Sequence, residues 1–170
     1  MRNNMKNILT LLATVSLVGV ASASLKPGDS LTPYEIQNTE SGAKYCQVCA
    51  YSPKSAKIIA FGKLGDAEFW ADLKKLQKLH SGYDAKGLGV FAQILDSTDT
   101  KAINAKAKEH GITFPVVVAV EKDWNDAYKV DGVSRTIYYA QKNRVAWTGV
   151  GLSETELSAL TDKVKEDAKG

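Results

Sequence analysis

The chain has 170 residues, with 22 basic and 19 acidic side chains and a formal net charge of +3. The basic residues are spread among acidic ones, which argues against a nucleic-acid-binding surface. The length suits one ordinary domain with a sizeable core. Cys46 and Cys49 are the only two cysteines.

The first 23 residues are typical of a secretory signal peptide. Arg2 and Lys6 give a positive start, residues 8–20 are mostly apolar, and residues 21–23 (ASA) supply a small-residue cleavage site. The apolar run is short of the roughly 20 residues that a membrane-spanning helix needs. We therefore expect residues 1–23 to be removed, leaving a net charge of +1 and no membrane span. The mature protein is predicted to be periplasmic or secreted.

The mature chain divides at about residue 56. Residues 24–56 hold three of the four prolines and read as a loop-rich segment that carries both cysteines and one short strand near 34–37. Residues 57–170 read as a regular α/β domain. In that domain Asp66 is placed as a helix N-cap, and the sequence from Ser153 to Glu156 forms a capping box.

The regular domain alternates apolar strands with amphipathic helices. This order predicts parallel core strands, helices on both faces and an antiparallel hairpin, and we expect the first and third core strands to pair. The expected strands are 57–62, 88–95 and 116–120, followed by a hairpin over 136–148, and the expected helices are 66–80, 98–110, 124–130 and 153–167.

Two segments resemble redoxin-type and peroxiredoxin-like proteins of the thioredoxin-like superfamily. Residues 108–117 (KEHGITFPVV) and 127–133 (AYKVDGV) are similar to matching stretches of those proteins. The resemblance extends over roughly residues 57–165. It implies a thioredoxin-like three-layer α/β/α sandwich with a mixed central sheet.

The positions that carry chemistry in that family differ here. Its C-x-x-C opens the helix after the first core strand, where this chain has Asp66 and Phe69. Its cis-proline follows a Gly-Val pair, where this chain has Ser134 after Val133. We therefore expect the usual active site to be absent.

The displaced pair, Cys46-Gln47-Val48-Cys49, precedes the first core strand. In an oxidising compartment such a pair can be a thiol–disulfide centre, a static disulfide or part of a metal site. A bridge that closes four residues stabilises by only about 2 kcal/mol, which makes it a weak staple. Residues 41–65 contain four lysines and no acid, and this positive surrounding favours the thiolate form.

We take Cys46 and Cys49 as candidate catalytic residues. Cys46 is the expected attacking nucleophile, since the thioredoxin resemblance gives that role to the N-terminal cysteine and Lys44 lies two residues away. A peroxidase is disfavoured, because Ala43 stands where peroxiredoxins place Thr or Ser. Arg135 falls near the arginine of those families, but a strand residue with its charge in solvent is the more ordinary interpretation.

We expect no metal and no cofactor. Haem attachment needs a histidine at position 50, which is Ala50, and His80 and His110 lie too far apart in sequence for a zinc pair. The mature chain has no methionine to help bind copper, although binding through the cysteines alone stays open as a minor alternative.

Two functions from different classes remain open. The first is thiol–disulfide exchange or redox sensing by an exported protein, with a protein thiol or disulfide as partner. The second is a non-catalytic thioredoxin-fold binding or scaffolding module that keeps a static disulfide. Fold alone does not choose between them.

Overall fold

A computed structural model describes residues 24–121, 124–130 and 135–168. The predicted signal peptide, residues 1–23, lies outside these ranges, as does Ser134. Within them, no helix is both long enough and apolar enough to cross a bilayer.

The described residues form one mixed sheet of seven strands. Its spatial order is β2-β1-β5-β4-β3-β6-β7. The strands are β1 (Ile36–Asn38), β2 (Lys44–Tyr45), β3 (Ala56–Gly62), β4 (Leu88–Ile94), β5 (Val116–Ala119), β6 (Thr136–Gln141) and β7 (Arg144–Val150). This arrangement confirms the predicted α/β class with a mixed central sheet.

Strands β3, β4 and β5 are parallel, and the remaining pairs are antiparallel. The expected pairing of the first and third core strands is wrong, because β4 lies between β3 and β5. Each helical crossover advances the chain by one strand in the same direction, so consecutive strands become neighbours. The hairpin of β6 and β7 then adds to the other side of β3.

Five α-helices accompany the sheet in the described ranges. Asp66 caps the second by accepting from the backbone N–H groups of Glu68 and Phe69, and the capping box of Ser153 and Glu156 opens the last, both as predicted. The second helix runs to Tyr83, past its expected end at residue 80. The helices are α1 (Gln47–Ala50), α2 (Ala67–Tyr83), α3 (Thr100–Glu109), α4 (Trp124–Tyr128) and α5 (Glu154–Asp167).

Two apolar layers lie on opposite faces of the sheet. Alternate residues of β3 show the division, since Ile58 joins one layer and Ile59 the other. The three long helices, α2, α3 and α5, pack on the Ile58 face. The Ile59 face is covered by the segment 25–34 together with α1 and α4. The cysteine pair therefore belongs to the layer that is built from short elements.

Candidate redox site

Cys46 and Cys49 lie on a single helical turn rather than in an open loop. Cys46 is the N-cap of α1 in extended conformation, and its Sγ accepts a hydrogen bond from the Cys49 backbone N–H at 3.1 Å. The two sulfurs are joined in a disulfide, with the Cα atoms 5.2 Å apart. The turn therefore holds both sulfurs within bonding reach, as expected from the spacing.

The two intervening residues anchor the turn. Gln47 and Val48 are only 3% and 1% exposed, so the inner side of α1 faces the core. Cys46 is half-buried and Cys49 is exposed. The disulfide is therefore open to solvent, with Cys49 as its more exposed member.

Two tyrosines flank the turn and bond to it or to the sheet below it. The Tyr45 hydroxyl donates to Gln47 Oε1 at 2.7 Å, and the Tyr51 hydroxyl donates to the Val90 carbonyl oxygen at 3.0 Å. Neither tyrosine is among the site residues predicted from the sequence. The one sequence feature that could have indicated them is their closeness to the cysteines: Tyr45 directly precedes Cys46, and Tyr51 follows Cys49 by two residues.

The pair stands before the first core strand, whereas the family carries its cysteines directly after that strand. Cys46 follows β2 at the edge of the sheet, whereas the family position follows β3, four strand positions away. From β2 the turn α1 leads back over the sheet to β4, where the Tyr51 hydroxyl bonds to Val90. The displaced pair therefore lies on a different element from the helix start where the family carries its cysteines.

The family position itself is structural in this chain. Asp66 is the N-cap of α2, and Phe69 is fully buried. A Cβ atom at Gly62 would overlap the Phe69 ring, so glycine at the end of β3 makes room for it. Neither residue provides a thiol, and both side chains are engaged in capping or packing.

The positive surrounding predicted for the cysteines is weaker than the sequence indicates. Lys54 Nζ lies 2.8 Å from Asp84 Oδ1, so its charge is offset. Lys57 points into the protein and bonds to Asn143, and burial lowers the pKa of its amine. Of the four lysines, Lys44 and Lys63 remain exposed. The hydrogen bond from the Cys49 N–H is a more direct stabiliser of a Cys46 thiolate than this diffuse charge.

Arg135 does not place its charge freely in solvent, which corrects the ordinary interpretation of that residue. Its Nη1 lies 2.7 Å from Glu68 Oε2 and 3.6 Å from Asp72 Oδ2, both on α2. Arg135 has a positive φ of 63° and leads into β6. The contacts tie the first turns of α2 to the sheet, on a different part of the molecule from the cysteines.

No cluster of three or more metal-ligating side chains occurs in the part of the chain that the structure describes. The His110 ring stacks on Trp70, and the His80 ring meets Phe114 edge-on. Both histidines are thus engaged in packing.

Two of the surface cavities have no cysteine in their lining. One of about 630 Å³ is open at the ends of β4 and β5, lined by Asp96 and Trp124 among others. Another of about 400 Å³ lies beside Asp72 and Arg135. Neither cavity is lined by Cys46 or Cys49, so a reactant would approach the disulfide over an open surface.

Solved structures establish the fold class. The chain has a thioredoxin-like fold, similar to the thioredoxin domain of a thiol-disulfide oxidoreductase from Bacteroides vulgatus, with a TM-score of 0.71, 14% identity and coverage of 83% of this chain and 99% of that one. It is also similar to a thiol:disulfide interchange protein from Bacteroides sp., with a TM-score of 0.70, 13% identity and coverage of 86% and 92%.

A third similar structure is a secreted Mycobacterium tuberculosis disulfide oxidoreductase, with a TM-score of 0.63, 10% identity and coverage of 78% and 95%. No family model and no curated protein sequence matches the chain. These similarities confirm the predicted thioredoxin-like architecture.

Proposed function

We propose that this protein is an exported thiol–disulfide exchange protein that works through Cys46 and Cys49. The observation that carries the proposal is the solvent-open disulfide on an anchored helical turn of a thioredoxin-like fold. The signal-peptide pattern of residues 1–23 supports a periplasmic or secreted location. The partner is a protein thiol or disulfide, since the open surface around the pair admits a large reactant.

In the reduced protein, Cys46 is the attacking thiolate. Its Sγ attacks one sulfur of a partner disulfide, and the other partner sulfur leaves as a thiolate, which gives a mixed disulfide. Cys49 then attacks Cys46 Sγ as a thiolate and releases the second partner sulfur. The partner is reduced by two electrons while the Cys46–Cys49 disulfide forms, and the reverse sequence oxidises a partner dithiol.

The hydrogen bond at Cys46 supports this division of roles. Cys46 Sγ accepts from the Cys49 N–H, and such a bond stabilises the charged form of an acceptor. Exposure alone points the other way, because Cys49 is the more open residue. The assignment of Cys46 therefore depends on the hydrogen bond and on the thioredoxin resemblance.

A binding or scaffolding module with a static disulfide is the second candidate. It is favoured by the position of the cysteines, which lie on α1 before β3 and line neither of the two cavities described above. In that case the disulfide serves only to hold α1.

Equilibration of the mature protein with glutathione buffers separates the two functions. We expect a reduction potential above about −300 mV, in the range of exchange-competent pairs. A markedly lower potential would identify an inert structural bridge and favour the binding module.

The cysteine variants test the division of roles. Cys46→Ser should abolish reduction of a model protein disulfide, whereas Cys49→Ser should accumulate a mixed disulfide with it, because the resolving thiol is missing. Non-reducing electrophoresis and intact mass measure both outcomes. Trapping by Cys46→Ser instead would reverse the two roles.

A further inference from the structure

Tyr51 links the cysteine turn directly to the central sheet. Its backbone N–H donates to the Gln47 carbonyl oxygen at 3.0 Å and thereby closes the turn. Its hydroxyl donates to the Val90 carbonyl oxygen at 3.0 Å. Its ring meets Phe91 edge-on, with centroids 5.9 Å apart. The residue thus follows the redox pair by two positions and contacts two successive residues of β4.

The sheet has space for this ring only because residue 89 is glycine. A Cβ atom at Gly89 would overlap the Tyr51 ring. Gly89 does not have a positive φ, so its backbone conformation does not require glycine. Glycine is therefore needed at position 89 because it leaves room for the Tyr51 ring. We call this space, together with the Val90 carbonyl oxygen that accepts from the hydroxyl, the Tyr51 seat.

We propose that Tyr51 is a positioning residue that sets the equilibrium between the dithiol and the disulfide. The inference rests on the proposed redox function of Cys46 and Cys49. Seating Tyr51 fixes the conformation of the turn, and the disulfide fixes the same turn. Once Tyr51 is seated, closing the disulfide costs less conformational entropy, and once the disulfide is closed, seating Tyr51 costs less. The seated tyrosine and the disulfide therefore stabilise each other.

This mutual stabilisation fixes the direction in which the equilibrium constant for disulfide formation changes when the Tyr51 seat is lost. The oxidised turn is already restrained and seats Tyr51 more firmly than the reduced turn does. Loss of the seat consequently weakens the disulfide relative to the dithiol. The relevant exchange is protein dithiol plus glutathione disulfide giving protein disulfide plus two glutathione thiols, and its equilibrium constant should fall.

Tyr51→Phe is the primary test, because it removes the hydroxyl and keeps the ring. We expect the glutathione equilibrium constant to fall by up to about fivefold, the limit reached when the hydrogen bond is made in the disulfide form alone. Fivefold corresponds to a potential about 20 mV less negative. Gly89→Ala places a methyl group of β4 where the Tyr51 ring lies, and so displaces the ring without changing Tyr51 itself. It should also lower the glutathione equilibrium constant.

Tyr83→Phe provides a matched control. Tyr83 is a half-buried tyrosine at the end of α2, and its ring lies under Lys86 Nζ rather than near the cysteines. The constant should not change in this variant. A contact that is merely structural stabilises both redox forms equally and leaves the constant unchanged, even where the free energy of unfolding falls.

An unchanged constant in folded Tyr51→Phe and Gly89→Ala proteins, or a rise in either, would overturn the inference. This result is distinct from failure of the proposed function. A wild-type potential well below −300 mV refutes exchange as the function. The dependence of the constant on Tyr51 remains measurable in that case, because any disulfide has such a constant.

Discussion

Lys57 combines a central position in the sheet with a buried amine. The residue is 1% exposed and lies on β3, on the same face as Ile59 and between Gly89 and Ala140 of the neighbouring strands. Its Nζ bonds to Asn143, and no carboxylate pairs with it among the residues that the structure describes. A buried ammonium without a counter-ion is costly, which explains why burial lowers the pKa of this amine.

Replacing Lys57 with methionine should stabilise the protein at neutral pH by about 1 kcal/mol, because the buried charge is removed and most of the volume is kept. The folded-state pKa lies below the ordinary value of 10.5, so the unfolded chain binds more protons between the two pKa values. Wild-type stability therefore rises with pH through that window, and the advantage of Lys57→Met should shrink there.

Urea unfolding of both proteins at neutral and alkaline pH measures this difference. Lys101→Met, at an exposed position on α3, is the control and should show no such change with pH. A stability difference that is constant across the window contradicts a titrating Lys57.

At the scale of single residues, the cysteine pair could be predicted from the sequence, but the residues that hold its turn against the sheet could not. Two cysteines with C-x-x-C spacing are conspicuous in any chain. Tyr51 and Gly89 are 38 positions apart in sequence, and only the folded sheet brings them together. The burial of Lys57 was not predicted either, because a lysine is ordinarily expected to place its charge in solvent.

At the scale of elements, the start of α2 shows how capping and packing contacts stabilise the junction between β3 and the helix. Asp66 accepts from two backbone N–H groups of the first turn, and the Trp70 indole N–H donates to the Leu64 carbonyl oxygen at 2.9 Å. These contacts join the end of β3 to the helix. They satisfy polar groups that would otherwise be left unpaired at a helix start.

Asp66→Ala should lower the free energy of unfolding by about 1 kcal/mol, the usual effect of losing an N-cap. It should leave the glutathione equilibrium of the cysteines unchanged, because the Asp66 side chain bonds to the first turn of α2 and not to the cysteine turn. Chemical unfolding and the redox titration together check both expectations. A shifted potential with unchanged stability would show that the family position still takes part in the chemistry.

Elements with several turns or a clear apolar run were predictable, and short ones were not. The helix α5 begins at its capping box, and β3 and β4 fall where the apolar runs stand. The four-residue α1 has too few positions to show a helical period, so the sequence gives no sign of it. The order of strands also escaped prediction, since the periodicity of a strand does not identify its neighbour.

At the scale of the whole molecule, the disulfide constrains very little of the chain. It joins residues three positions apart, whereas the sheet pairs strands that are far apart in sequence. Closing such a short loop contributes about 2 kcal/mol, within a typical stability of about 5–15 kcal/mol. The reduced protein should therefore remain folded, which the proposed thiol–disulfide exchange requires.

Reduction should lower the free energy of unfolding by about 2 kcal/mol without changing the secondary structure. Urea unfolding with and without reductant, followed by circular dichroism, measures both quantities. The double variant Cys46→Ser/Cys49→Ser should match the reduced protein and be insensitive to reductant. Unfolding upon reduction would show instead that the disulfide is a structural requirement of the fold.

The fit of Phe69 to Gly62 has a consequence for how such a protein can change over generations. Exchanging the buried ring for a cysteine would empty part of the core and remove several kcal/mol of stability, about 3–5 for a large-to-small change of this kind. A cysteine could therefore be introduced at position 69 only through a destabilised protein. Cys46 is half-buried and Cys49 is exposed, so a change of side chain at either position leaves the core filled.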